Sequence, residues 1–150
     1  LAIVLAFFHQ TDNGADFGDP LFRIYWKAIY AIAFGLIIVY RLGIPISRNI
    51  KHQFVVEKVE RITPSAVSIY VTGKNMAEFK YQPGQFNIWA FLAKDFWWER
   101  HPFTISAEPN GKYLRISAKG VGDFTKRMEQ IPVGTKDFVN GHYGGFTPPT

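Results

Sequence analysis

From Ala28 to Tyr40 the chain carries no charged residue, and the apolar run around that core extends from Leu21 to Leu42. About twenty residues of helix rise roughly 30 Å, the hydrocarbon thickness of a bilayer. The run therefore predicts either a membrane-spanning helix or a helix buried in a large soluble core. Arg23 and Lys27 lie in its first two turns, where long cationic side chains can snorkel to headgroups. Tyr25, Trp26 and Tyr30 at one end and Tyr40 at the other suit interfacial aromatic belts. A second apolar stretch, residues 1–9, reads as the last turns of a preceding helix. A chain that opens inside such a stretch is expected to be a fragment of a longer protein.

Charge asymmetry orients the span. Residues 10–20 contain Asp12, Asp16 and Asp19 and no cation, whereas Arg41, Arg48, Lys51, Lys58 and Arg61 follow the helix. The bias of Lys and Arg toward the inner face predicts a multi-pass protein of the cell membrane, with everything after Arg41 cytoplasmic. The net charge of +5 is otherwise dispersed and predicts no nucleic-acid partner. With no cysteine, disulfides, zinc–thiolate sites, iron–sulfur clusters and a thiol nucleophile are all excluded. His9 ends the first apolar stretch on the outer side. There a lone imidazole is an interfacial or capping group, or a haem ligand.

Past a linker at 43–50 the hydrophobic period changes from helical to two. Strands are expected over 52–62, 66–72, 79–82, 85–92, 101–107, 113–118 and 135–140, with a short helix at 123–131 and a glycine turn at 141–145. Short antiparallel strands with one helix argue for a closed β-barrel over residues 51–150. Aromatics make up 17% of the chain, which suits a membrane belt or a slot for a flat conjugated ligand. Two segments in the barrel could carry chemistry. Gly120–Thr125 is a glycine-led turn opening a helix, a form that favours anions, with Lys119 beside it. His101–Ser106 would bring a ring and a hydroxyl to the same edge. Phosphate contacts beside an aromatic slot describe a dinucleotide such as a flavin.

These residues carry a family resemblance. Tyr81–Phe86, with its Pro-Gly-Gln-Phe core, resembles the opening of a strand in the ferredoxin–NADP reductase superfamily. His101-Pro-Phe-Thr resembles the flavin motif of its NADPH oxidase and ferric reductase branch, where soluble members carry an Arg-x-Tyr-Ser form. Lys119–Thr125 is similar to the flavin pyrophosphate loop of bacterial NADPH oxidases, and Gly141–Gly145 resembles the turn that closes the flavin domain.

The resemblance implies an α+β membrane fragment: the C-terminal part of a transmembrane helix bundle (1–42), then a small antiparallel β-barrel FAD-binding domain with one short helix. It implies FAD, haem b in the transmembrane part, and NADPH as donor. His101 would face the flavin pyrophosphate, Phe103 the isoalloxazine ring, and Thr104 its reactive nitrogen. Pro102 belongs to the same strand, and Ile105 and Ser106 would line it beside the ribityl chain. Lys119, Gly122 and Thr125 would hold phosphates, with Val121 and Phe124 packed around them. His9 would bind haem iron. The implied activity is electron transfer from NAD(P)H through FAD and haem to dioxygen. Alternatives are a ferric-chelate reductase with the same electron path and a membrane-anchored nucleotide-binding module without catalysis. The chain departs from the pattern at His142, where the family has proline, and its last residue, Thr150, precedes the expected NADPH-binding domain.

Overall fold

The structure, a computed structural model, describes residues 19–82 and 84–144. The chain forms two compact units that part between Ile44 and Pro45.

In the first unit, helix α1 (Pro20–Ile38) starts where Asp19 caps it, its carboxylate accepting from the Leu21 amide at 2.8 Å, with proline at the first helical position. None of its residues is buried within the chain. A π turn at Val39–Gly43 continues it. The helical stretch Pro20–His52, whose most apolar 18-residue window has mean hydropathy 2.0, is the one helix among the described residues long and apolar enough to cross a membrane. The multi-helix bundle expected upstream falls on residues outside those described, as does His9.

The second unit opens on helix α2 (Ile44–His52), over residues expected to be an irregular linker and the start of a strand. Pro45 sits early in α2 and has no N–H to give. The π turn before it pairs carbonyls with amides five residues on, so the helix is not broken there. Asn49 then fastens α2 to the sheet. Its Nδ2 donates to the carbonyls of Pro45 (2.7 Å) and Val139 (2.8 Å), and its Oδ1 accepts from the Val139 amide (2.9 Å).

Six strands follow: β1 (Val55–Thr63), β2 (Ala66–Thr72), β3 (Phe86–Phe91), β4 (His101–Thr104), β5 (Leu114–Lys119) and β6 (Asp137–Tyr143). They form two antiparallel three-stranded sheets, ordered β1-β2-β5 and β4-β3-β6. The expected closed barrel is therefore corrected. The sheets meet edge to edge at the single bridges Val55–Lys136 and Ile105–Ile116, with a few backbone bonds beside them (Val56 to Thr135, Asp137 to Phe54, Ser106 to Arg115), and not along full strand ladders. Closure is incomplete because β4 stops after Thr104 and because β6 meets β1 only at its entry, around Asp137, before the two diverge. The strand expected at 79–82 is also absent. A 3-10 turn at Met76–Glu78 precedes it, and Phe79 and Tyr81 alternate inward as core anchors rather than ladder members. The core between the sheets is built on Trp89, Phe54, Phe91, Ile69 and Ile116, all almost fully buried.

Over residues 141–143 the expected glycine turn is instead the end of β6, and Gly145 lies outside the described residues. Gly141, at φ +146°, lets β6 pass so close to Asn87 that a Cβ would lie 2.3 Å from its Oδ1. Helix α3 (Asp123–Arg127) is shorter than expected and tightens into a 3-10 turn at Met128–Gln130.

Candidate flavin site

Strand β4 and helix α3 bring three of the sequence-predicted residues together. The rings of His101 and Phe124 lie 3.9 Å apart, and Phe103 stacks on Phe124 at 6.0 Å with 26° between planes. Phe124 is buried and also touches Phe96 (5.9 Å) and Phe91 (6.5 Å), so the β4–α3 junction is an extension of the core. Pro102 and Thr104 alternate outward from β4, leaving the Thr104 hydroxyl exposed.

Two predicted residues are committed elsewhere. Ile105 is core, at 4% exposure, and its amide donates to the Gln85 carbonyl. Ser106 ties β4's continuation to β5: its hydroxyl donates to the Arg115 carbonyl (3.0 Å) and pairs with Ser117 (3.0 Å), while Arg115 returns a bond to the Ser106 carbonyl (2.6 Å).

The loop between β5 and α3 is open to solvent, with Lys119 and Val121 exposed. Its amides are largely used already. Gly120 donates to the Ser65 carbonyl (2.7 Å), Val121 to Lys119 (2.8 Å), and Gly122 to Thr125 Oγ1 (3.0 Å). Thr125 completes the cap by donating back to the Gly122 carbonyl at 3.0 Å. A phosphate over this loop would thus meet the first-turn amides of α3, which have no partner within a helix, and the Lys119 ammonium. Space is present: a Cβ built on Gly122 would have Thr125 Oγ1, at 3.9 Å, as its nearest neighbour. An exposed hydroxyl, a supported ring pair and an open cationic loop fit an extended dinucleotide.

Sequence reasoning missed the group that holds His101. Glu99 accepts from His101 Nε2 (3.1 Å) and from Arg127 Nη2 (2.5 Å), and Arg127 also donates to the Asp95 carbonyl and lies over the Phe96 ring. The Arg127 guanidinium, and less strongly His101, hold the Glu99 carboxyl below the usual carboxylate range. The signal was faint but present: Glu99 and His101 stand two apart, on one face of an extended chain, and Arg127 lies one helical turn beyond Asp123.

Among the described residues, three side chains in or beside β6 hold buried polar atoms without a hydrogen-bond partner: Asn87, Asp137 and His142. Asp137, at 4% exposure, has neither oxygen hydrogen-bonded, and burial pushes its carboxyl well above the ordinary range against a smaller opposing effect of the Ala90 and Phe138 amides. His142 packs edge-on to Phe79 at 4.6 Å with its Nδ1 buried. Burial, aided by the Arg48 charge, pulls its imidazole from 6.5 down to about 4. Between those values the unfolded chain holds the extra proton, so stability falls as pH drops through that window. His142→Phe should flatten the slope between pH 6.5 and 4, measured by urea midpoints, while leaving stability at pH 8 nearly unchanged.

Among the described residues no three His, Cys, Asp or Glu side chains gather to hold a metal ion. The profile of the FAD-binding domain family matches residues 52–142. Among solved structures, the flavohaem-like FAD/NAD-binding domain of nitric oxide dioxygenase from Vibrio cholerae O1 biovar El Tor is 25% identical, with a TM-score of 0.53 over 66% of this chain and 46% of that one. The ferredoxin reductase of carbazole 1,9a-dioxygenase is 20% identical, with a TM-score of 0.51 over 61% and 27%. The cytochrome b5 reductase domain of Ulva prolifera nitrate reductase is 14% identical, with a TM-score of 0.52 over 66% and 43%. The chain spans less than half the length of each. No curated protein sequence matches it.

Proposed function

Since the chain belongs to the FAD-binding domain family, we propose that it is the flavin-holding part of a transmembrane oxidoreductase. Electrons would pass from NAD(P)H through FAD to membrane haem b, with His9 as an iron ligand, and on to dioxygen at the far face. The observation that carries the reading is the junction of β4 with α3, where the His-Pro-Phe-Thr strand is locked by Phe124 against the open loop, in a chain that also holds a span-length helix. Likeness to a domain described as flavohaem-like and FAD/NAD-binding supports a haem acceptor.

When bound, FAD supplies the conversion of a two-electron hydride into single electrons. The protein's part is positioning. Phe103, backed by Phe124, offers a flat surface to the ring system, and the exposed Thr104 hydroxyl is free to hydrogen-bond at its edge. His101, steadied by Glu99, packs its ring against Phe124 at the head of β4, with Lys119 supplying charge for the phosphates. No side chain here has to move a proton.

Titration of FAD into the chain should quench flavin fluorescence. Thr104→Ala should keep FAD affinity within about twofold, the loss of one weak exposed hydrogen bond, yet slow reduction of the bound flavin by dithionite. Equal reduction rates would remove Thr104 from the ring edge. In the full-length protein, superoxide trapping tests the acceptor, and ferric-chelate reduction without superoxide would reassign it.

A further inference from the structure

Residues 92–100 join β3 to β4 by a tight, well-anchored turn. Phe96 points inward at 4% exposure against Phe124, Asp95 adopts a left-handed φ of +71°, and Arg127 ties the Asp95 carbonyl. The Phe96 and Trp97 amides both donate to the Ala93 carbonyl at 3.1 Å. The next two residues go the other way. Trp97 and Trp98 stand 62% and 56% exposed, their rings edge to face at 5.6 Å. Single exposed apolar residues are unremarkable, but two adjacent indoles held outward by a fixed turn are not.

We propose that this face of the flavin domain rests on the lipid interface, with Trp97 and Trp98 seated at headgroup depth. Indole combines an apolar body with an N–H donor, the combination favoured where hydrocarbon meets headgroup. Lys94 and Arg100, in the same turn as the indoles, are exposed, against Asp95, while the Glu99 carboxylate is consumed by Arg127 and His101. That balance suits anionic headgroups. The inference rests on the reading of residues 21–42 as a membrane span. That helix runs directly into the flavin domain, so the bilayer is tethered at high effective concentration. The loop that carries the indoles also carries Glu99, so lipid contact would stiffen the group that positions His101.

The test is lipid quenching of tryptophan in the full chain, reconstituted without FAD into nanodiscs of phosphatidylcholine and phosphatidylglycerol brominated near the headgroup end of the acyl chains. The chain has four tryptophans, and Trp89 is buried at 1% exposure as an internal reference. The W97F/W98F variant leaves Trp26 to report on the span, and W26F leaves Trp97 and Trp98 to report on the face. Both should be quenched, the W26F signal by roughly half as expected for interfacial indoles, and less when phosphatidylglycerol is omitted. Quenching of Trp26 alone would overturn the inference and leave the span standing. Absence of quenching in both variants would overturn the span and the inference with it.

Discussion

Phe124→Ala is expected to cost the flavin domain about 3–5 kcal/mol of stability, the range for deleting a buried phenylalanine, and to weaken FAD binding at least roughly tenfold. Both effects have one cause. Phe124 is the only side chain in contact with the rings of His101, Phe103, Phe96 and Phe91 among the described residues, so it holds β4, the 92–100 turn and β3 to α3 at once. Removing it leaves a cavity beneath β4 and lets the His101–Thr104 strand shift relative to the phosphate loop. Urea denaturation followed by Trp89 emission measures the first effect, and flavin fluorescence titration at low urea the second. Phe124→Leu separates them. It refills most of the cavity and should recover most of the stability, but it lacks the flat face on which Phe103 stacks, so FAD affinity should stay low. Full recovery of affinity in the leucine variant would show that volume alone supports the site.

Gly141→Val should be the most damaging change in β6, costing about 3 kcal/mol or more from overpacking and a strained backbone together. Its Cβ would meet Asn87 Oδ1 at 2.3 Å and the Asn87 Cα and Phe86 carbonyl at 3.1 Å, and Asn87 is fully buried with no room to withdraw. Gly134 provides the comparison. It too has a positive φ, +86°, but nothing lies within 4 Å of its would-be Cβ. Gly134→Ala should therefore lose only about 1 kcal/mol of backbone preference. Thermal unfolding of the two variants side by side would separate steric from torsional cost, and equal losses would contradict the close approach of β6 to Asn87.

How far the chain could be read in advance depended on how local the deciding physics is. The alternation of Val67, Ile69 and Val71 announced β2, because a strand with one face in the core writes its period into the sequence. That His101–Ser106 and Gly120–Thr125 share an edge could be anticipated from their chemistry, but the ring contact of His101 with Phe124 joins residues more than twenty apart and left no local trace. α2 was hidden because Pro45, Ser47 and Asn49 look like linker chemistry. What makes them helical is the preceding π turn and the bonds of Asn49 to Val139, ninety residues away. Barrel closure was misjudged for a related reason. Most strands were legible, but whether the edges of two sheets zip together depends on where β4 stops and where β6 starts, which no local period records. His9 and the bundle lie beyond the described residues, so their roles stay with the proposal.

The tie between Glu99, His101 and Arg127 bears on how such sites can diverge. Converting the histidine form of the flavin motif into an arginine form by His101→Arg alone would set two permanent guanidinium charges on one carboxylate, in a chain already at +5. One arginine would be left competing for Glu99 or displaced toward the phosphates. Positions 99, 101 and 127 therefore form a single unit of substitution, and drift between the two motif forms would have to pass through coordinated exchanges at all three rather than through one letter at a time.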